Sequence, residues 1–136
     1  KNTPVHQYLN TGWSSPEAEF VWTDGKVATL KFLLEESLLH HNLSILFKGF
    51  PFITSNVKKQ DYSISVNGTV VKEGFLHAQE SIECYIPKTL NTTQELIFEF
   101  NFPKCSSPKS QGLSSDERML GFALASIEVE VLESIS

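Results

Sequence analysis

Ser115-Asp116-Glu117-Arg118-Met119-Leu120-Gly121-Phe122-Ala123-Leu124-Ala125-Ser126-Ile127-Glu128-Val129-Glu130-Val131 is the stretch on which the fold turns. Its second half alternates. Ile127, Val129 and Val131 point one way and Ser126, Glu128 and Glu130 the other, which is the pattern of a half-buried strand. Its first half sets an aspartate and an arginine just ahead of a small-residue run through Gly121, Ala123 and Ala125. Opposite charges at the mouth of a buried strand imply side chains delivered to a fixed place at one end of a sheet.

Working back from there, Glu95 to Phe102 repeats the alternation, with Leu96, Phe98, Phe100 and Phe102 inward and Ile97, Glu99 and Asn101 outward. Pro103 ends it, because proline cannot donate to a ladder. Asp61 to Val71 reads as a hairpin around Asn67-Gly68, a pair suited to the left-handed backbone of a tight turn. Glu80 to Ile86 is a further strand, with Ile82, Cys84 and Ile86 on one face. Val27 to Leu34 turns Ala28, Leu30, Phe32 and Leu34 inward, and Asp24-Gly25 ahead of it predicts a short hairpin. Leu43 to Phe47 is also extended, and Gly49-Phe50-Pro51-Phe52 reads as a turn. Only Glu35 to Asn42 could form a helical turn. About eight or nine short strands without a long helix predict an all-β, antiparallel, jelly-roll-like sandwich.

The chain has 136 residues, 40% of them apolar and ten of them Phe, enough for a single domain over 1–136 with its own core. A formal net charge of −5 argues against nucleic acid or an anionic membrane as the main partner. No apolar run reaches the roughly 18 residues that suggest a membrane-spanning helix. The chain opens on Lys1, without an initiator methionine or a leader, as expected of a piece excised from a larger protein. Cys84 reads as a small buried hydrophobe and Cys105 lies in a loop; whether they pair stays open. His6, His40, His41 and His77 are scattered and expected at the surface. No Cys-x-x-Cys or His-x-His spacing marks a metal site. Asn42, Asn67 and Asn91 fit the N-glycosylation pattern, but nothing further follows from it.

The two ends carry more than periodicity. Gly12-Trp13-x-x-Pro16-Glu17 and Trp22-Thr23-Asp24-Gly25-x-x-Ala28-x-Leu30 open the chain. Pro103, Ser106-Ser107-Pro108 and Asp116-x-Arg118-x-Leu120-Gly121-x-Ala123-Leu124 close it, with Val66-Asn67-Gly68 between. Together they resemble a β-sandwich domain appended to bacterial surface-polysaccharide glycosyltransferases and related envelope proteins. The chain departs from that pattern at Val21, where glycine is usual. The resemblance implies an accessory, non-catalytic module that binds or positions carbohydrate beside an attached enzyme of capsule or O-antigen synthesis. It also implies a cytoplasmic setting, where nucleotide-activated donors are found, with the membrane reached through the parent protein; a secreted or periplasmic placement stays open.

Six residues are candidates for the sugar site: Trp13, Glu17, Asp116 and Arg118, supported by Trp22 and Asp24. An indole face covers the apolar face of a pyranose, and a guanidinium fork holds paired oxygens. Each has a second reading. Trp13 and Trp22 could plug the core, and Arg118 with Glu17 or Asp116 could be a salt bridge tying the first loop to the last strand. No cofactor is implied; Asp24 and Asp116 are the ligands to test for a structural calcium. Two rival functions remain. One is a docking or dimerising domain, for which the outward Leu33, Ile97 and Phe122 would supply an apolar patch. The other is a small glycan hydrolase, which needs two carboxylates facing across a groove.

Overall fold

The computed structural model describes residues 5–132, which form two antiparallel sheets. The strands are β1 (Leu9–Thr11), β2 (Val21–Asp24), β3 (Val27–Leu33), β4 (Asn42–Pro51), β5 (Gln60–Val66), β6 (Thr69–Leu76), β7 (Ile82–Ile86), β8 (Glu95–Asn101) and β9 (Leu120–Leu132). The larger sheet runs β1-β3-β8-β5-β6 and the smaller β2-β9-β4-β7. Three short 3₁₀ turns are the helical elements among the described residues, one of them at Glu36–Leu38, inside the stretch expected to turn.

The core lies between the sheets, where alternation puts it. Leu96, Phe98 and Phe100 of β8 face Leu43, Ile45 and Phe47 of β4, all buried. The Phe47 ring meets Phe98 at 5.6 Å and Phe100 at 4.9 Å, both near-perpendicular, the edge-to-face arrangement aromatic quadrupoles favour. Asn67 and Gly68 take positive φ, 47° and 91°, and join β5 to β6 as the Asn-Gly pair predicts. Cys84 and Cys105 are both buried and unpaired. Burial pushes the Cys84 thiol up to about 11. In a Cys105→Ser background at pH 8, a thiol reagent should label Cys84 about two orders of magnitude more slowly than an unperturbed thiol. Guanidinium should release full labelling; fast labelling of the folded protein would contradict this burial.

Four local expectations are corrected. Asp24-Gly25 makes no hairpin: β2 pairs with β9 and β3 with β1 and β8, so the tight turn is a corner between the sheets. Gly49 to Pro51 do not turn the chain but continue β4 against β9. Gly49 is needed there because an added Cβ would strike the Ala123 carbonyl and come within 2.9 Å of the Phe122 ring.

The third correction is parity along β9. Lys48 pairs with Ser126 but Gly49 with Leu124, so Ala125 is an extra residue, a bulge that reverses which side chains face inward. Phe122 is therefore 1% exposed, core and not outward patch, whereas Leu33 is 77% exposed as expected. Last, Val129 and Val131 keep the expected side, opposite Ile45 and Leu43, but the core does not cover them: they stay 40% and 38% exposed. Strand β9 has 13 residues against 7 in β3, β5 and β8, so its far end outruns the opposing sheet.

Candidate functional site

The opening loop is laid along β2 by its own backbone. The Asp24 amide donates to the Gly12 carbonyl, the Ser14 amide to Trp22 and the Glu17 amide to Phe20, all at 2.8–2.9 Å. Gly12 sits at φ +83° against β3, where an added Cβ would strike the Val27 carbonyl and lie 2.7 Å from the Ala28 Cα. Only glycine fits that approach. Across β2, the buried Thr23 hydroxyl accepts from the Gly121 and Phe122 amides at 3.1 and 3.0 Å. It thereby satisfies two donors where the β2–β9 register shifts.

Arg118, just ahead of β9, gathers these pieces. Its Nη2 donates to Asp116 Oδ2 at 2.7 Å, and Nε lies 3.1 Å from both carboxylate oxygens. Its Nη1 donates to Ser14 Oγ at 2.9 Å and to Glu17 Oε2 at 3.4 Å. The Arg118 side chain is 32% exposed and Glu17 44% exposed, so the group forms an open rim. With five N–H donors in a guanidinium, this arrangement leaves one Nη2 hydrogen uncommitted. The arrangement is a clasp between the first loop and the last strand whose outer edge faces water.

Hydrogen bonds from the Arg118 side chain, then its amide, hold the Asp116 carboxyl below its usual range. A depressed folded-state pKa gives stability that is present above the unfolded value, about pH 4, and lost as pH falls through the folded one. Asp116→Asn should therefore melt below the parent at pH 7, and the gap should close below about pH 4. Melting curves across that range check it; a gap equal at pH 3 and pH 7 would exclude the ion pair as its source.

The remaining candidates divide. Trp13 is half-buried, its Nε1 donating to the Thr29 carbonyl at 2.8 Å and its ring set edge-on to Phe100 at 6.3 Å. It stands beside the rim but anchors into the sandwich. Trp22 neither plugs the core nor joins the rim. Val21 and Thr23 point inward, so Trp22 points out, and its ring meets Phe20, Phe50 and Phe52 at 5.9, 5.4 and 6.0 Å. Asp24 Oδ1 accepts from the Met119 amide at 2.9 Å. Asp24 thus accepts through Oδ1 alone, whereas both Asp116 oxygens accept from Arg118. Among the described residues no three metal-ligating acids, histidines or cysteines converge. Asn91 is fully buried, its amide donating to Leu38 and His41, so its pattern marks no accessible acceptor.

No protein-family model and no curated protein matches the chain. Solved structures do. The CBM36-1 domain of a multidomain xylanase from the hindgut metagenome of Trinervitermes trinervoides superposes over 98% of each chain, at a TM-score of 0.54 and 8% identity. The chain has the fold of a carbohydrate-binding module. A Podospora anserina GH26-CBM35 β-(1,4)-mannanase matches over the whole chain at a TM-score of 0.59 and 10% identity. An acetyl xylan esterase (Est2A) from Butyrivibrio proteoclasticus matches likewise at 0.55 and 9%. The chain spans 28% and 34% of the length of those two proteins. At such identities the module fold is what is shared, and residue roles do not carry over.

One surface of this module was missed from sequence. On the outer face of the smaller sheet, Tyr85 of β7, Ser44 of β4 and Glu130 of β9 pair across three strands, with Glu83 beside them. With Leu132 of the same sheet, and with Val71 and Lys72 of β6 at the edge of the larger sheet, they line a groove of about 360 Å³. The signal was partly legible: if Ile82, Cys84 and Ile86 face in, Glu83 and Tyr85 face out. That Ser44 and Glu130 lie alongside depends on strand order, which one strand's alternation does not carry.

Proposed function

We propose that the chain is a non-catalytic module that binds or positions carbohydrate for an attached catalytic domain, in the synthesis of bacterial surface glycans such as capsule or O-antigen. The observation that carries this reading is the rim. Side chains from the two ends of the chain meet around one guanidinium, in the open, on a carbohydrate-binding-module fold. Glu17 is held only at 3.4 Å and keeps accepting capacity for a sugar hydroxyl, and Arg118 keeps one donor. Vicinal hydroxyls, each both donor and acceptor, suit that pair. Trp13 sets the loop that carries Ser14 and Glu17. Asp24 holds the Met119 amide beside Arg118. In this reading the module works on the cytoplasmic side, where activated sugar donors are found.

An array of bacterial polysaccharides probed with the chain tests this. Binding to at least one polysaccharide, lost in Glu17→Ala with an unchanged melting temperature, supports it; no binding across the array rejects it. A second reading, a docking or dimerising surface, is favoured by the outward aromatic group of Phe20, Trp22 and Phe50. It requires Trp22→Ala to change the sedimentation of the parent protein while leaving glycan binding intact.

A further inference from the structure

We propose that the groove over Tyr85 is a second carbohydrate contact surface, separate from the Arg118 rim, and that it takes a chain of neutral pyranoses. The inference rests on the carbohydrate-binding reading and adds a site and a ligand class to it. Tyr85 is 51% exposed on a strand whose inward neighbours Ile82, Cys84 and Ile86 are sealed. A bare phenol on a sheet face among charged residues keeps apolar surface in water, which the C–H face of a pyranose would cover.

The polar groups around the ring suit hydroxyls. Glu83 and Glu130 accept, Lys72 donates, and Ser44 keeps accepting capacity. Ser44 Oγ already donates to Glu83 Oε2 at 3.1 Å, fixing one carboxylate beside the ring. On the flank, Lys48 and Glu128 pair with each other at 2.6 Å, so neither adds an unbalanced charge. Two carboxylates against one ammonium leave the groove acidic, which repels uronic acids and sulfated sugars and admits neutral ones. The row from Tyr85 through Ser44 to Glu130 crosses two strand spacings, on the order of 10 Å, more than one ring occupies. A volume of about 360 Å³ falls within the span of small-ligand sites.

The test is titration of the ¹⁵N-labelled chain with cellohexaose, mannohexaose, xylohexaose and hexagalacturonate, with affinities from calorimetry. At least one neutral hexaose should shift the amides around Ser44, Glu83, Tyr85 and Glu130. Tyr85→Ala should weaken it about tenfold without moving the melting temperature, and Tyr85→Phe should restore it. Hexagalacturonate should bind more weakly. Shifts confined to Ser14–Glu17 and Asp116–Arg118 overturn this site and leave the rim standing. Tighter binding of hexagalacturonate overturns the ligand class. If no hexaose binds while an array polysaccharide is lost in Glu17→Ala, the groove proposal fails and the function survives; silence in both experiments rejects both.

Discussion

Phe100→Ala is expected to destabilise the protein by about 3–5 kcal/mol, the range for truncating a buried aromatic. The ring is 1% exposed and sits where three parts of the core meet. It lies near-perpendicular to Phe47 of the opposite sheet at 4.9 Å and to Trp13 at 6.3 Å, and near-parallel to Phe102, just past the end of β8, at 6.3 Å. On β8 it lies between Ala28 of β3 and Ile64 of β5. Small Ala28 cannot expand into the space, so the cavity would persist and its cost with it. For a domain of this size that is a fall on the order of 10–20 °C in melting temperature. Phe100→Leu, which keeps more of the volume, should cost clearly less. A loss under about 1 kcal/mol for the alanine variant would mean the sheets close over this position by another route. The variant also removes the wall behind Trp13, so the opening loop should loosen before the rest unfolds.

Gly12→Ala should cost about 2–5 kcal/mol, for two separable reasons. An alanine at φ +83° carries the left-handed strain of about 1–2 kcal/mol. Its methyl would also press into the backbone of Val27 and Ala28, which cannot rotate away as a side chain could, adding about 1–3 kcal/mol. Gly25→Ala is the control. At φ +111° it is strained as well, but nothing lies within 4 Å of the added carbon. The difference between the two melting temperatures isolates the steric part. Equal losses would show that the loop moves aside without cost. Displacing the loop also withdraws Ser14 and Glu17 from Arg118, so glycan binding at the rim should weaken with it.

Much of this was legible in residues, and the rest was hidden for identifiable reasons. The β8 alternation gave its inward set correctly because one face is core and the other water, with no irregularity between. The Asn67-Gly68 hairpin was legible because the turn needs two positive φ angles and those residues supply them. Asp24-Gly25 misled because such a pair specifies a tight turn but not the partner of the strand that follows. Phe122 was placed on the wrong face because a single bulged residue, Ala125, exchanges the faces of a strand without leaving any mark in local hydrophobicity. At the rim, the meeting of Glu17 with Arg118 could be expected from residues at the two chain ends. The inward turn of Trp13 and the outward one of Trp22 could not, since a half-buried indole satisfies either environment.

The position of β9 governs how this protein can come into being. It is the last described strand to be synthesised, yet it lies between β2 and β4, and Arg118 reaches back to Ser14 and Glu17. While a nascent chain is still being made, β3, β5, β6 and β8 can assemble, but β2 and β4 must wait with open edges that invite intermolecular pairing. A ribosome stalled before Leu120 would thus leave a half-built, adhesive intermediate in need of a chaperone, and the thirteen residues of β9 would act as the latch that closes those edges.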